Sequence, residues 1–95
     1  MLTKTTNKSI AAAYTEYSHA FQRNVKKFTI QCRSAADVRL AFEDTDVQAT
    51  APSGAYFTLK SGTKYESPDG VNHSGLTVYI AAATGSLVVE ISEWY

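Results

Sequence analysis

The 95-residue chain has little of several features that define common protein classes. Its single cysteine, Cys32, rules out an internal disulfide framework, which fits a reducing compartment. The N-terminus lacks the apolar segment of a signal peptide, and no apolar run approaches the roughly 18 residues of a membrane helix. We therefore expect a soluble protein that is made in a cytoplasm and has no membrane partner.

A surplus of charge is also missing, because the chain has nine basic and nine acidic side chains. Proteins that bind nucleic acid need extra lysine and arginine to neutralise phosphates, so the balance argues against a nucleic-acid partner. The charge is uneven along the chain, however, with +5 over residues 1–39 and −5 over residues 40–95. Two faces of opposite charge would let copies meet head to tail, whereas interleaved strands would cancel the asymmetry. The sequence leaves both outcomes open.

The residues that enzymes and metal sites use form no recognisable pattern. Cys32 shares a strand face with Phe28 and Ile30, as expected for a small buried hydrophobe rather than an activated thiolate. Nothing in the pattern brings His19 or His73 beside it. A pair of catalytic carboxylates, a glycine-rich phosphate loop and the ligand spacing of a calcium loop are all missing. We therefore predict no enzymatic activity, no cofactor and no metal.

Alternation of apolar and polar residues is what the sequence has instead. The stretches "FTIQC" (28–32) and "VRLAF" (38–42) alternate with period two around a polar turn, which is typical of two antiparallel strands. Similar runs include Phe57 and Leu59, which we expect to point inward, and further runs begin at Leu76 and Leu87. Turn signals recur about every 8–12 residues. The pattern predicts an all-β fold, either a small antiparallel β-sandwich or a jelly-roll-like barrel.

Residues 7–23 fit two secondary structures. A helix would place four apolar residues on one face: Ile10, Tyr14, Tyr17 and Phe21. A strand would place alternate residues from Thr15 to Phe21 on one face, and we favour it because tyrosine and threonine prefer strands. A short N-terminal helix stays the alternative. Residues 1–6 are predicted to form an N-terminal arm, and residues 7–95 a single domain.

Three stretches share an arrangement that occurs elsewhere: "VKKFTIQCRSAADVRLAF", "YFTLKSGTKYE" and "LTVYIAAATGSLVVEISEW", the last after a Gly/Asn-rich loop. Six features carry the likeness: Gln31, Arg33, Asp37, the Ser61-Gly62 turn, Tyr79 and Trp94. Together they resemble small β-sandwich structural proteins of tailed-bacteriophage virions, over roughly residues 25–95.

The resemblance implies a non-enzymatic component of the virus particle. Such a protein is a capsid decoration (cement) protein, a head-tail connector or a fibre anchor. Its partners are capsid, portal or neck subunits of the same particle, and the protein is expected to be a homo-oligomer in the assembled virion. The expected location is therefore the virion, after synthesis in the host cytoplasm.

Basic and aromatic residues are the candidates for a subunit interface, since aromatic residues are enriched at interfaces. The predicted interface residues are Lys4, Lys8, Arg23, Lys26, Lys27, Trp94 and Tyr95. The alternative function is a carbohydrate-binding or host-adhesion β-sandwich module. Its predicted glycan-stacking residues, chosen because they point outward from strands, are Tyr56, Tyr79 and Trp94.

Overall fold

The computed structural model describes residues 3–21, 25–43, 55–67 and 75–94. Over these residues the chain forms eight β-strands and no helix, and hence no helix with the length and apolarity to cross a membrane. The strands are β1 (Thr3–Ile10), β2 (Tyr17–Ala20), β3 (Lys27–Cys32), β4 (Val38–Ala41), β5 (Phe57–Leu59), β6 (Lys64–Glu66), β7 (Thr77–Ala81) and β8 (Leu87–Trp94).

The strands form two antiparallel sheets that pack face to face. Sheet A has the order β1-β8-β3-β6, and sheet B has the order β2-β7-β4-β5. Each strand of the first half of the chain pairs with one of the second half, as β1–β8, β2–β7, β3–β6 and β4–β5. These pairs form when one long hairpin is rolled over on itself, which is the jelly-roll type of β-sandwich. The all-β prediction is confirmed.

The core lies between the sheets and is built from alternate residues of their strands. In β3 and β4, Phe28, Ile30, Val38 and Leu40 are at most 1% exposed. β7 and β8 contribute Val78, Ile80, Leu87, Val89 and Ile91, all buried. The inward faces predicted for these four strands are confirmed. Half-buried Cys32 at the end of β3 packs against the same core.

Phe57 is less buried than its alternation predicts. Leu59 is buried as expected, but Phe57 is 37% exposed. Its ring lies against Phe42 and Tyr65, with centroids 6.0 and 5.3 Å apart. β5 is an edge strand of sheet B, so no further strand of the described chain covers the outer side of the ring.

In the N-terminal third of the chain, the structure confirms one prediction and contradicts another. Tyr17–Ala20 form a strand that pairs with β7, and Tyr17, His19 and Phe21 face inward, so the strand interpretation is right. The predicted arm over residues 1–6 is wrong from Thr3 onward. Thr3–Ile10 pair without interruption with β8 from Trp94 to Leu87, so this part of the chain belongs to sheet A.

Candidate functional site

The outward face of sheet A carries a shallow groove with polar walls. Its volume is about 410 Å³, and we call it the sheet A groove. It is lined by side chains from four adjacent strands: Thr5, Lys27, Thr29, Gln31, Lys64, Glu66, Glu90, Ser92 and Trp94. The strand register explains why they meet. Thr5, Ser92, Thr29 and Glu66 stand side by side across the sheet, and Glu90, Gln31 and Lys64 form the next row.

Donor side chains hold both carboxylates of the groove, from β3 and the residue after it for Glu90 and from the same strand β6 for Glu66. Gln31 Nε2 donates to Glu90 Oε1 at 2.8 Å, and Arg33 Nε donates to Glu90 Oε2 at 3.0 Å. These two hydrogen bonds, that of Gln31 first, hold the pKa of Glu90 below its ordinary value. Glu66 lies 3.1 Å from Lys64 Nζ. This hydrogen-bonded cation, with Lys27 farther away, likewise lowers the pKa of Glu66. Both groups are therefore ionised acceptors at neutral pH.

Trp94 closes one end of the groove and is the only aromatic side chain among the described residues that line it. It is half-buried on the outward face, and Lys27 Nζ lies 5.9 Å from the centroid of its ring. A cation at this distance from an indole face is attracted by the ring quadrupole. Lys27 and Trp94 are direct neighbours in the β3–β8 register, which fixes the contact.

Several predicted interface residues lie at the Trp94 end of sheet A, on both of its faces. Lys27 lies opposite Trp94, Lys4 lies opposite the adjacent Glu93, and the Lys26 N–H donates to the Trp94 carbonyl at 2.8 Å. We call Lys4, Lys26, Lys27 and Trp94 the basic end. Lys4 and Lys26 are exposed, and Lys27 is half-buried.

Three other predicted interface residues do not belong to this group. Lys8 lies four residues farther along β1, opposite Val89 and half-buried. Arg23 and Tyr95 lie outside the described residues.

The aromatic residues predicted to stack on a glycan lie on opposite sides of the sandwich. Tyr79 is on the outward face of sheet B, where it packs against Ala41 and Ala81. Tyr56 is on the same sheet, 37% exposed, with Arg39 Cζ 5.9 Å from its ring centroid. Trp94 faces outward from sheet A. The predicted set of Tyr56, Tyr79 and Trp94 therefore cannot contact one ligand together.

A buried acidic residue near the basic end was missed by the sequence analysis. Glu93 is fully buried, and its Oε2 lies 3.3 Å from His19 Nε2 across the two sheets. The signal was present, because the alternation of Leu87, Val89 and Ile91 places Glu93 on the same inward face. Residue type gives the opposite signal, because glutamate is rarely fully buried. The register also places Lys4 and Phe28 on either side of Glu93.

No group of three or more metal-ligating side chains occurs among the described residues. Asp44, Asp69 and His73, whose side chains are of types that can bind metals, lie outside the described residues.

No protein-family model matches the chain, and no curated protein or solved structure matches it significantly. The resemblance to phage virion proteins therefore stays a prediction.

Proposed function

We propose that the chain is a non-enzymatic structural protein of a bacteriophage virion. It binds other capsid or neck subunits as a decoration (cement) protein, a head-tail connector or a fibre anchor. The observation that carries the proposal is the basic end, where three lysines and a tryptophan lie at one end of sheet A, with Lys27 and Trp94 on its outward face and Lys4 on the opposite side of the edge strand β1.

The basic end has the composition of a protein-binding surface for an acidic partner. Lys4 and Lys26 are exposed, so their charges attract an acidic surface before contact. The half-buried indole of Trp94 offers apolar area of the kind that dominates interface energetics. Many copies on one particle would add avidity, so the affinity of each copy can be modest.

The fold agrees with this function and with the alternative. Jelly-roll sandwiches occur in viral capsid proteins and in lectins, and a fold by itself does not specify a function. The choice between the two depends on the surfaces, which differ in what they can bind.

The direct test is association with particles. Gradient-purified virions of the virus that encodes the chain are expected to contain the protein, as measured by mass spectrometry, and virions made without it should take up purified protein. Absence from purified virions together with a failure to add back would refute the proposal.

Charge reversal tests whether the basic end is the contact. Lys26→Glu and Lys27→Glu are each expected to weaken uptake by particles, and to weaken it most at low salt, where charges act over longer distances. Lys60→Glu is the matched control. Lys60 is also an exposed lysine, but it follows strand β5 of sheet B, where it pairs with Asp37. Equal uptake of all three variants would show that another surface makes the contact.

Carbohydrate binding is the second candidate, favoured by the sheet A groove. Planar carboxylates and an amide, with the hydroxyls of Thr5, Thr29 and Ser92, can bond a sugar's hydroxyls, and Trp94 can stack against a sugar ring. Binding on a glycan array that is lost in Trp94→Ala and kept in Tyr79→Ala would support it. An array on which no glycan is bound would refute carbohydrate binding.

A further inference from the structure

The free edge of β1 is the longest sheet edge in the described part of the chain. β1 has eight residues, while the edge strands β2, β5 and β6 have four, three and three. The β1–β8 register runs from Thr3 to Ile10 without a bulge. Within the described residues β1 pairs only with β8, so one side of its backbone has no strand partner. Long edges of this kind accept further strands unless something blocks them.

The hydrogen-bond ladder shows which backbone groups point to this edge. The Arg33 N–H donates to the Val88 carbonyl at 2.9 Å, so even-numbered residues of β8 direct their backbone groups toward β3. Odd-numbered residues of β8 therefore bond to β1, through its even-numbered residues from Lys4 to Ile10. The N–H and C=O groups that point away from the sheet belong to the other residues of β1: Thr3, Thr5, Asn7 and Ser9.

The side chains of β1 determine which strand the edge would accept. Before Ile10 the strand has no apolar residue, and its only charges are Lys4 and Lys8, on the same side of the strand. A second copy of β1 would bring four lysines to one side of the shared ladder, which is unfavourable. Lysine on an edge strand is a known means of preventing self-pairing. The same two charges favour a strand with acidic side chains.

We propose that the β1 edge binds an extended acidic segment of a partner subunit, which adds to sheet A as a fifth strand beside β1. The backbone groups of Thr5 and Asn7 bond to the segment, and Lys4 and Lys8 select its acidic side chains. The identification of the partner as a virion subunit rests on the proposed function. The binding of an acidic strand at the β1 edge does not rest on it, so this binding can be tested without particles.

The first test uses two capped peptides of the length of β1, measured by isothermal titration calorimetry. One has strand-forming residues with glutamates at the spacing of Lys4 and Lys8, and the other has lysines in their place. Only the acidic peptide is expected to bind. The Lys4→Glu/Lys8→Glu double variant should prefer the lysine peptide. No binding of the acidic peptide, or equal binding of both peptides, would overturn the proposal.

Proline variants test the backbone bonds. Asn7→Pro removes an N–H that points outward and leaves the β1–β8 ladder intact, as edge strands allow. We expect binding of the acidic peptide to weaken about fivefold or more, since one hydrogen bond is worth about 1 kcal/mol. Asn7→Ala keeps the N–H and is the matched control. Thr5→Pro with Thr5→Ala repeats the comparison at a second position, in case one variant fails to fold by circular dichroism.

Two results separate this inference from the proposed function. If purified particles take up wild type and Asn7→Pro equally, the protein is a virion component and the edge is not its contact. If wild type is absent from particles but Asn7→Pro loses the acidic peptide, the edge inference stands and the virion proposal fails. A wild-type dimer that Asn7→Pro abolishes would show that the edge binds a second copy instead.

Discussion

At the scale of single residues, Glu93 is the side chain whose surroundings matter most. It is fully buried, and burial of a carboxylate costs several kcal/mol unless polar groups compensate. His19, 11% exposed, supplies one partner from sheet B at 3.3 Å. The contact therefore joins the two sheets at one end of the sandwich. It also places a polar group where a jelly roll of this size would ordinarily have an apolar one.

Removing His19 should destabilise the protein more than its own buried area explains. We expect His19→Ala to lower the free energy of unfolding by about 2 kcal/mol, because the fully buried Glu93 side chain loses a hydrogen-bond partner. His19→Phe combined with Glu93→Leu should recover most of that loss, since buried polar pairs can often be replaced by apolar residues. Urea denaturation measures both. A double variant less stable than His19→Ala would contradict this explanation.

The hydrogen bonds to Glu90 predict a pH dependence at the outward face. The pKa of Glu90 is lowered from 4.5 in the folded chain. The contribution of ionised Glu90 to the stability of the fold is therefore present at neutral pH. It is lost as the pH falls below 4.5 and through the lowered pKa of Glu90 in the folded state. Carboxyl NMR titration should show that the pKa of Glu90 rises in both Gln31→Ala and Arg33→Ala, because each variant removes a hydrogen bond that lowers it and Arg33→Ala also removes the attraction of a cation. An unchanged pKa of Glu90 in both variants would contradict this explanation.

At the scale of strands, alternation predicted what the sheets bury wherever a strand has neighbours on both sides. β3, β4, β7 and β8 are central strands, and their inward residues were predicted correctly. The failures lie at edges and at the end of a strand. Phe57 is on an edge strand, Thr3–Thr6 have polar side chains that fit an arm as well as a strand, and Glu93 contradicts the usual preference of charge for water.

The site was less predictable than the fold, because it depends on which strands become neighbours. Nothing local in the sequence shows that Lys27 will lie opposite Trp94, or that Gln31 will lie beside Glu90; both follow from the β3–β8 pairing. Likewise, the outward orientation of Tyr56 and Trp94 was predictable, but their separation on two sheets was not. Long-range pairing, rather than residue type, determines the groove and the basic end.

Two adjacent threonines of β1 allow a test of the strand in which one proline variant is the control for the other. The Thr6 N–H bonds to β8, whereas the Thr5 N–H points to the free edge. Thr6→Pro should therefore lower the free energy of unfolding by about 2 kcal/mol, because an acceptor on β8 loses its donor, and Thr5→Pro should change it by less than about 1 kcal/mol. Thermal or urea unfolding distinguishes the two. If neither variant changed the free energy of unfolding, the N-terminal arm predicted from the sequence would be the better description of this segment.

At the scale of the whole molecule, the jelly-roll pairing mixes the charges of the two halves of the sequence within both sheets of the described chain. Both sheets alternate strands from the basic first half with strands from the acidic second half. Opposite charges therefore meet within the molecule, as Arg33 meets Glu90 and Asp37 meets Lys60. The basic end is a local exception, where three lysines lie at one end of sheet A and the adjacent carboxyl group of β8, that of Glu93, is buried.

This arrangement predicts that copies of the purified protein do not assemble head to tail through the charges of the two halves. Sedimentation velocity at about 0.1 M and about 1 M salt, where the Debye length is about 10 Å and about 3 Å, should give the same oligomeric state. The Lys60→Glu and Lys26→Glu variants should sediment like the wild type at both concentrations. Self-association at low salt that disappears at high salt would contradict the prediction and would mean that copies meet through opposite charges. Salt-sensitive binding is expected only with an acidic partner, because only then does the basic end face a complementary surface.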